Sequence, residues 1–341
     1  VLPTQQILAV GKVSGGLGLY VGNIDTTTNT IAWSTSTLIS TFVPYNGAKA
    51  KILYNDTMQQ AVVAFPYATG SFRIVSINKS GTTYTVGADQ QISGISNADV
   101  FDISSNARNW FLGTRNWTTS IGVLRMLQIT GSVVTTVSTS PNFIGLPTSF
   151  SIAYYKPSKV AIVVCGGGNI WVSNWDYNTN TIASNVTVFT TVGFTNPIIE
   201  IFNGVGVQDF YGTLLSDNLG HAFKFTYTND NSVTSLSNSL LYSAGTASAV
   251  GIWKVDDTNI FTSIFSGGAY LVTRIDYTDL LDPTNYFVYG NIAQNGYVGD
   301  GLGTYYGVGY TPSMTEPLFY QALGLIGITD YPILGITQES I

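Results

Sequence analysis

The chain has 341 residues, 13 Lys plus Arg against 19 Asp plus Glu, a net charge of −6, and one cysteine and one histidine. Apolar residues make up 45% and charged residues 9%, a balance that excludes global disorder and, with no basic cluster, a surface that tracks nucleic-acid phosphates. No apolar run reaches the ~18 residues of a spanning helix, so no membrane insertion is expected, and one cysteine excludes an internal disulfide or a cysteine-built metal site.

Tyr, Phe, Val, Ile and Thr are abundant while Glu, Lys and Arg are scarce, which predicts strands rather than helices. The first strands read ILAVGKV, LGLYVGNI and IAWSTSTLI, from Ile7, Leu17 and Ile31. A second group reads KAKILYN, QAVVAFPYA, SFRIVSIN and TYTVGADQQ; a third, ADVFDIS, WFLGTR, GVLRMLQI and VVTTVST; a fourth, FSIAYY, KVAIVVC, NIWVSNWD and VTVFTTV. Runs that are apolar at both parities suit sheets packed on both faces.

The groups repeat. A small or Gly-containing turn followed by an apolar strand recurs at Leu17, Ser71, Ile121, Asn169, His221 and Ala269, in steps of 48 to 54 residues. The stretches NIDTTTNTIAWS from Asn23 and NWDYNTNTIASN from Asn174 are the same turn three repeats apart. A period near 50 with several strands per unit is the signature of a β-propeller. The first group lacks a leading strand, and GTYYGVGY around Tyr305 stands where one more is due. The expected architecture is all-β: six four-stranded blades over residues 1–316, the C-terminal strand completing the first blade, and an extension over 317–341. Seven blades is the alternative. The chain begins at Val1 without Met, so a processed product or part of a longer protein is expected.

Chemistry-bearing residues are sparse. His221 begins a strand after a Gly turn and has no G-x-S-x-G elbow to serve; a hydrogen-bonded strand-edge role is expected. Cys165, in AIVVCGGG, reads as a small buried hydrophobe. Asp102, Asp176, Glu200, Asp209, Asp256, Asp257 and Asp276 are candidates for a carboxylate pair, but most sit in turn-like contexts. The arginines are Arg73, Arg108, Arg115, Arg125 and Arg274, without the repeated turn of propeller sialidases. Neither a catalytic residue nor a metal site nor a cofactor is expected. Each Asp/Asn turn offers one Asp, which caps its own backbone, whereas calcium needs several converging carboxylates.

Aromatic loops are the better binding candidates. Arg115 and Asn116 lie between Trp110 and Trp117, and Trp171, Trp175 and Tyr177 share one hairpin. Rings beside Asn and Asp suit sugars, which offer apolar faces and hydroxyls; the competing role is packing between blades. Arg115, Asn116, Trp117, Trp175 and Tyr177 are the expected ligand-binding residues. Asn-x-Ser/Thr triplets stand at Asn55, Asn78, Asn116 and Asn185.

The low-charge, Thr/Asn/Gly-rich repeat together with the tail LGLIGITDYPILGITQES resembles virion proteins of tailed bacteriophages, in which similar segments follow propeller repeats. The resemblance implies a non-catalytic structural module on the virion surface (a tail fibre, tail-tip adhesin or decoration). It implies other virion proteins as partners, host-surface glycans as ligands and a multicopy assembly. A secreted bacterial lectin or surface-layer propeller, and a polysaccharide-degrading enzyme, are the alternatives.

Overall fold

The computed structural model describes residues 6–25, 30–44, 50–67, 71–95, 98–116, 118–119, 121–143, 149–166, 169–184 and 186–190, and from there the strands between 198 and 322. Every element among them is a β-strand, and the strands form seven separate antiparallel sheets. The first holds β1 (Gln6–Val13), β2 (Gly16–Asp25), β3 (Thr30–Trp33) and β4 (Thr37–Ser40). The second holds β5 (Lys51–Asn55), β6 (Gln60–Tyr67), β7 (Ser71–Ser80) and β8 (Thr83–Gln91). The third holds β9 (Ala98–Ser105), β10 (Trp110–Asn116), β11 (Ile121–Thr130) and β12 (Val133–Thr139). The fourth holds β13 (Ser149–Lys156), β14 (Lys159–Gly166), β15 (Asn169–Asp176), β16 (Thr181–Ile182) and β17 (Val186–Thr190). The fifth holds β18 (Ile198–Asn203), β19 (Asp209–Ser216), β20 (Leu219–Asn229) and β21 (Ser232–Tyr242). The sixth holds β22 (Ala247–Lys254), β23 (Asn259–Ser266), β24 (Ala269–Asp276) and β25 (Thr284–Gly290). The seventh holds β26 (Ala293–Gly299), β27 (Tyr305–Tyr310) and β28 (Leu318–Ala322).

Each sheet is a meander in which consecutive strands pair. In the first and fourth sheets the outermost strand is broken in two: β3 and β4 both pair with β2, and β16 and β17 both pair with β15. The first strands of successive sheets lie side by side, β5 beside β9, β9 beside β13, and onward through β18, β22 and β26.

Sequence pattern explains burial across a sheet. The second strand is covered on both faces, so QAVVAFPY of β6 is buried at seven of eight positions. Ala61, Val63 and Phe65 join a core with Leu17 and Leu19 of the first sheet. Val62 and Ala64 of the same strand join a core with Trp110 and Leu112 of the third. The outer strand β12, VVTTVST, is largely exposed and correspondingly rich in Thr, the residue type that tolerates a half-wet pleated surface. Gly122 admits a close approach: a Cβ there would lie 1.8 Å from Cε2 of Phe143, whose N–H donates to the Gly122 carbonyl at 3.0 Å.

The blade reading from sequence needs a correction at its end. Tyr305–Tyr310 was expected to add to the first sheet, but β27 pairs with β26 and β28 instead, in a seventh sheet. The innermost strand of that sheet is AQNGYVG. It has two glycines and one β-branched residue, so it carries little strand signal, and the count ran on to the next strand. β28, placed by expectation in the C-terminal extension, is part of this sheet; residues 323–341 lie outside the described residues.

Candidate functional site

A four-stranded meander has two rims. One carries the hairpin between second and third strands and the connection to the next sheet; we call it the crossover rim. The other carries the hairpins between first and second and between third and fourth strands. The five expected ligand residues divide between them. Arg115 and Asn116 end β10, on the crossover rim, whereas Trp175 and Tyr177 lie at the end of β15, on the opposite rim. The Tyr177 hydroxyl accepts the Ser158 N–H at 3.0 Å and the Asn106 side-chain amide at 3.4 Å, and Asn106 precedes β10. The length of β10, about 20 Å at its strand rise, therefore separates the two groups, and they do not form one site.

Trp175 is a correction to the sequence reading. It is 0% exposed, set edge-on to Phe111 at 6.3 Å and to Tyr177 at 6.0 Å, with Nε1 donating to Asn180 Oδ1 at 3.0 Å. The alternation of β15 turns Trp171 and Trp175 into the core against the third sheet. Tyr177 is half-buried and tilted on Phe111 at 5.3 Å. Both rings pack one sheet on the next, the competing role for aromatics in this chain.

The repeated turn does what its residues predict. Asp176 Oδ1 accepts the N–H groups of Asn178 and Thr179 at 2.9 and 3.2 Å, and Asn180 takes the left-handed conformation, φ 53°. Lys159 Nζ lies 2.9 Å from Asp176 Oδ2. Burial works to raise the Asp176 pKa, but the bonds from Lys159, Thr179 and Asn178 and the lysine's charge outweigh it and hold the carboxyl below its usual value. Among the described residues no three His, Cys, Asp or Glu side chains could hold a metal ion together.

On the crossover rim, Asn116 Oδ1 accepts the N–H groups of Thr118 and Thr119 at 2.9 and 3.2 Å. This Asx turn fixes the β10–β11 hairpin. Thr118 and Thr119 are exposed and Arg115 is half-buried. Trp117 lies outside the described residues.

Two arginines at this rim escaped the sequence reading. Arg73 Nε donates to Asp89 Oδ1 at 2.6 Å, and its guanidinium lies 3.8 Å from the Phe42 ring centre and 5.9 Å from that of Tyr67. Ser40 Oγ donates to the other Asp89 oxygen. Arg125 is 8% exposed; it donates from Nη1 to Thr114 Oγ1 at 3.2 Å and from Nη2 to the Gly94 carbonyl at 2.7 Å. Burial lowers its pKa. The signal was present: Arg73 and Arg125 occur one repeat apart, on the third strands of neighbouring sheets.

Asp102, a candidate carboxylate by sequence, is a strut between sheets. Its Oδ1 accepts Lys51 Nζ at 2.9 Å and the Ile103 N–H at 2.9 Å; its Oδ2 accepts Ser151 Oγ at 2.6 Å and the Ile152 N–H at 2.9 Å. With four donors in place it is poorly suited to take a proton from a substrate. His221 sits on β20 between Leu214 and Leu240, and Cys165 on β14 between Ser149 and Ile170; their side chains, and those of Glu200, Asp209 and Asp276, lie outside the described residues.

No protein-family model matches the chain, and no curated protein matches it by sequence. Solved structures do. A hypothetical selenium-binding protein from Sulfolobus tokodaii is similar with a TM-score of 0.66 at 10% identity, over 95% of this chain and 88% of that one. A candidate 6-phosphogluconolactonase from Bacteroides fragilis gives 0.61 at 10% identity, over 94% and 91%. The β-propeller domain of the Trilobed protease from Pyrococcus furiosus, described as having an open velcro topology, gives 0.52 at 7% identity, over 93% and 91%. At such identities the likeness concerns the fold, and the fold is a β-propeller.

Proposed function

We propose that this β-propeller is a non-catalytic module on the surface of a virus particle, a tail fibre, adhesin or decoration, that holds host-surface glycan on its crossover rim. Each of the seven sheets is read as a blade, and no strand is exchanged between the first sheet and the last, because the first and last strands belong to different sheets. The observation that carries the binding reading is the hairpin after β10. Asn116 locks its backbone while Thr118 and Thr119 face solvent, and Trp117 stands between them in sequence. A rigid scaffold with a polar, aromatic-bearing loop is what shallow sugar recognition needs. The few charges and side-chain ties between sheets suit a durable exposed part.

The test compares monomer with a streptavidin-linked tetramer on host cells and on a glycan array. Single sugar contacts are weak, and several copies gain roughly 10²–10⁴ in avidity. The tetramer should bind firmly and the monomer barely, and Trp117→Ala should abolish binding without lowering the melting temperature. A tetramer that ignores host cells and every arrayed glycan would remove the binding role. Antibody labelling that misses purified particles would remove the virion assignment.

A further inference from the structure

The two crossover-rim arginines differ in what neutralises them. Arg73 stands opposite Gln91, and two residues further along, Asp89 stands opposite Val75 on the outer strand; that carboxylate neutralises Arg73. In the third sheet Arg125 stands opposite Thr139, and beyond a register shift between Met126 and Leu127, Thr136 stands opposite Leu127. No acidic residue occurs anywhere from Ile121 to Thr139. Arg125 is more than nine-tenths buried, yet its acceptors are neutral, a hydroxyl and a carbonyl. Buried arginines are rarely left without an anion, and these two bonds use two of five N–H donors.

The turn beside the guanidinium is open to solvent. Ser93 and Gly94 are exposed, and Gly94 has φ +70°. A Cβ at Gly94 would meet nothing within 4 Å but Arg125 Nη2, at 3.8 Å. A ligand arriving at the rim thus meets the end of the guanidinium where a side chain would otherwise shield it.

We propose that Arg125, with Thr114 and the Gly94 turn, receives a carboxylate from outside the chain, so that the glycan bound at this rim is an acidic one, of uronic- or sialic-acid chemistry. This rests on the glycan-binding reading above and names its ligand class. The carboxylate does for Arg125 what Asp89 does for Arg73, forming charge-assisted bonds.

The test uses the tetramer with three probes: polygalacturonate, the same polymer with its carboxyl groups reduced, and sodium acetate. The expected result is binding of polygalacturonate, at least about tenfold weaker binding of the reduced polymer, and a like loss in Arg125→Gln, as for a lost charged hydrogen bond. Thr136→Asp introduces an internal carboxylate two residues along the sheet from Arg125, on an exposed position. It should raise the melting temperature and weaken polygalacturonate binding, which keeps the test decisive if Arg125→Gln misfolds. Equal binding of acidic and reduced polymers, or unchanged binding in a folded Arg125→Gln or in Thr136→Asp, overturns the proposal while leaving neutral-glycan binding intact. Acetate bound without the polymer would make the source a small free acid and overturn the glycan assignment. Non-additive melting shifts between Arg125→Gln and Asp99→Asn would show an internal partner at the start of β9, and would also overturn it. Failure of the tetramer on every glycan and on host cells is the separate failure of the parent reading.

Discussion

Ile152 donates its backbone N–H to the Asp102 carboxylate at 2.9 Å, across 50 residues of sequence. Both residues lie on first strands, β13 and β9, which pair through backbone with one neighbour only, the second strand of their own sheet. The other edge of such a strand would leave its amides without partners. Side chains one repeat away bridge the seam: the Tyr154 N–H donates to Ser104 Oγ at 2.9 Å, and the Asn55 side-chain amide donates to Ser105 Oγ and the Asn106 carbonyl at 2.9 and 2.7 Å. The repeat length is therefore a contact rule, bringing residues about 50 apart face to face between sheets.

Asp102→Ala should destabilise the protein strongly, because it takes the carboxylate acceptor from the Ile152 N–H and the Ser151 hydroxyl at a buried seam and the counter-charge from Lys51. Lys51 is partly solvated, so most of the cost comes from the buried donors, on the order of 2–4 kcal/mol. Asp102→Asn keeps one acceptor and should lose about half as much. Thermal melts check this, with a fall of several degrees expected for the alanine variant. A shift under about 1 °C would mean the strut carries no weight.

Trp175→Ala should cost roughly 3–5 kcal/mol, the range for emptying an aromatic core site, since the indole is fully buried and orphans Asn180 Oδ1 when removed. Low soluble yield or a sharply lowered melt is expected, whatever the ligand. A Trp175→Ala protein that melts like the parent but loses binding would return this residue to the ligand surface.

What the sequence made legible follows from periodicity. Strand positions, the propeller class and the role of the Asp176 turn are local or repeat-level features, and they came through. The fate of single aromatics did not. Trp175 stands in the expected strand NIWVSNWD, which ends at Asp176 as β15 does, but the choice between a ligand-facing and a packed ring rested on its alternation, which sends the ring inward. The seventh sheet stood only as the alternative in sequence because AQNGYVG has few apolar side chains with which to announce a strand. The partners of the rim arginines are not legible in sequence, since pairing Arg73 with Asp89, or leaving Arg125 without a carboxylate, depends on cross-strand register, and register is invisible until strands are aligned.

Asp176 gives a pH test. Its carboxyl pKa lies below the ordinary value in the folded chain, so ionisation favours folding. That stability is fully present above the unfolded carboxyl pKa, near 4, and is lost as pH falls through the lower folded value. Asp176→Asn removes the charge that faces Lys159 while keeping an oxygen for the turn. The variant should melt below the parent at pH 7, and the gap should close as the pH is taken below about 4. A gap that stays constant with pH would assign the effect to turn geometry alone.

The seventh sheet makes the last prediction. If Tyr305–Tyr310 completed the first blade, removing residues 303–341 would unpair β1, and end-on views of the particle would show six lobes. β1 pairs with β2, and β27 with β26 and β28, so seven lobes are expected in electron-microscopy averages taken down the axis. The same arrangement separates three truncations. Removing 323–341 leaves all 28 strands of the described residues in place and should preserve one cooperative melt. Removing 303–341 leaves β26 without a paired neighbour in its own sheet, and removing 293–341 uncovers β22, which β26 flanks. Either of the larger deletions bares apolar surface and strand edges and should cause aggregation or a broadened transition. In the 303–341 deletion, hydrogen exchange should still protect the β1 amides bonded to β2. Six lobes, or selective loss of protection in β1 alone, would restore closure by strand exchange with the first sheet.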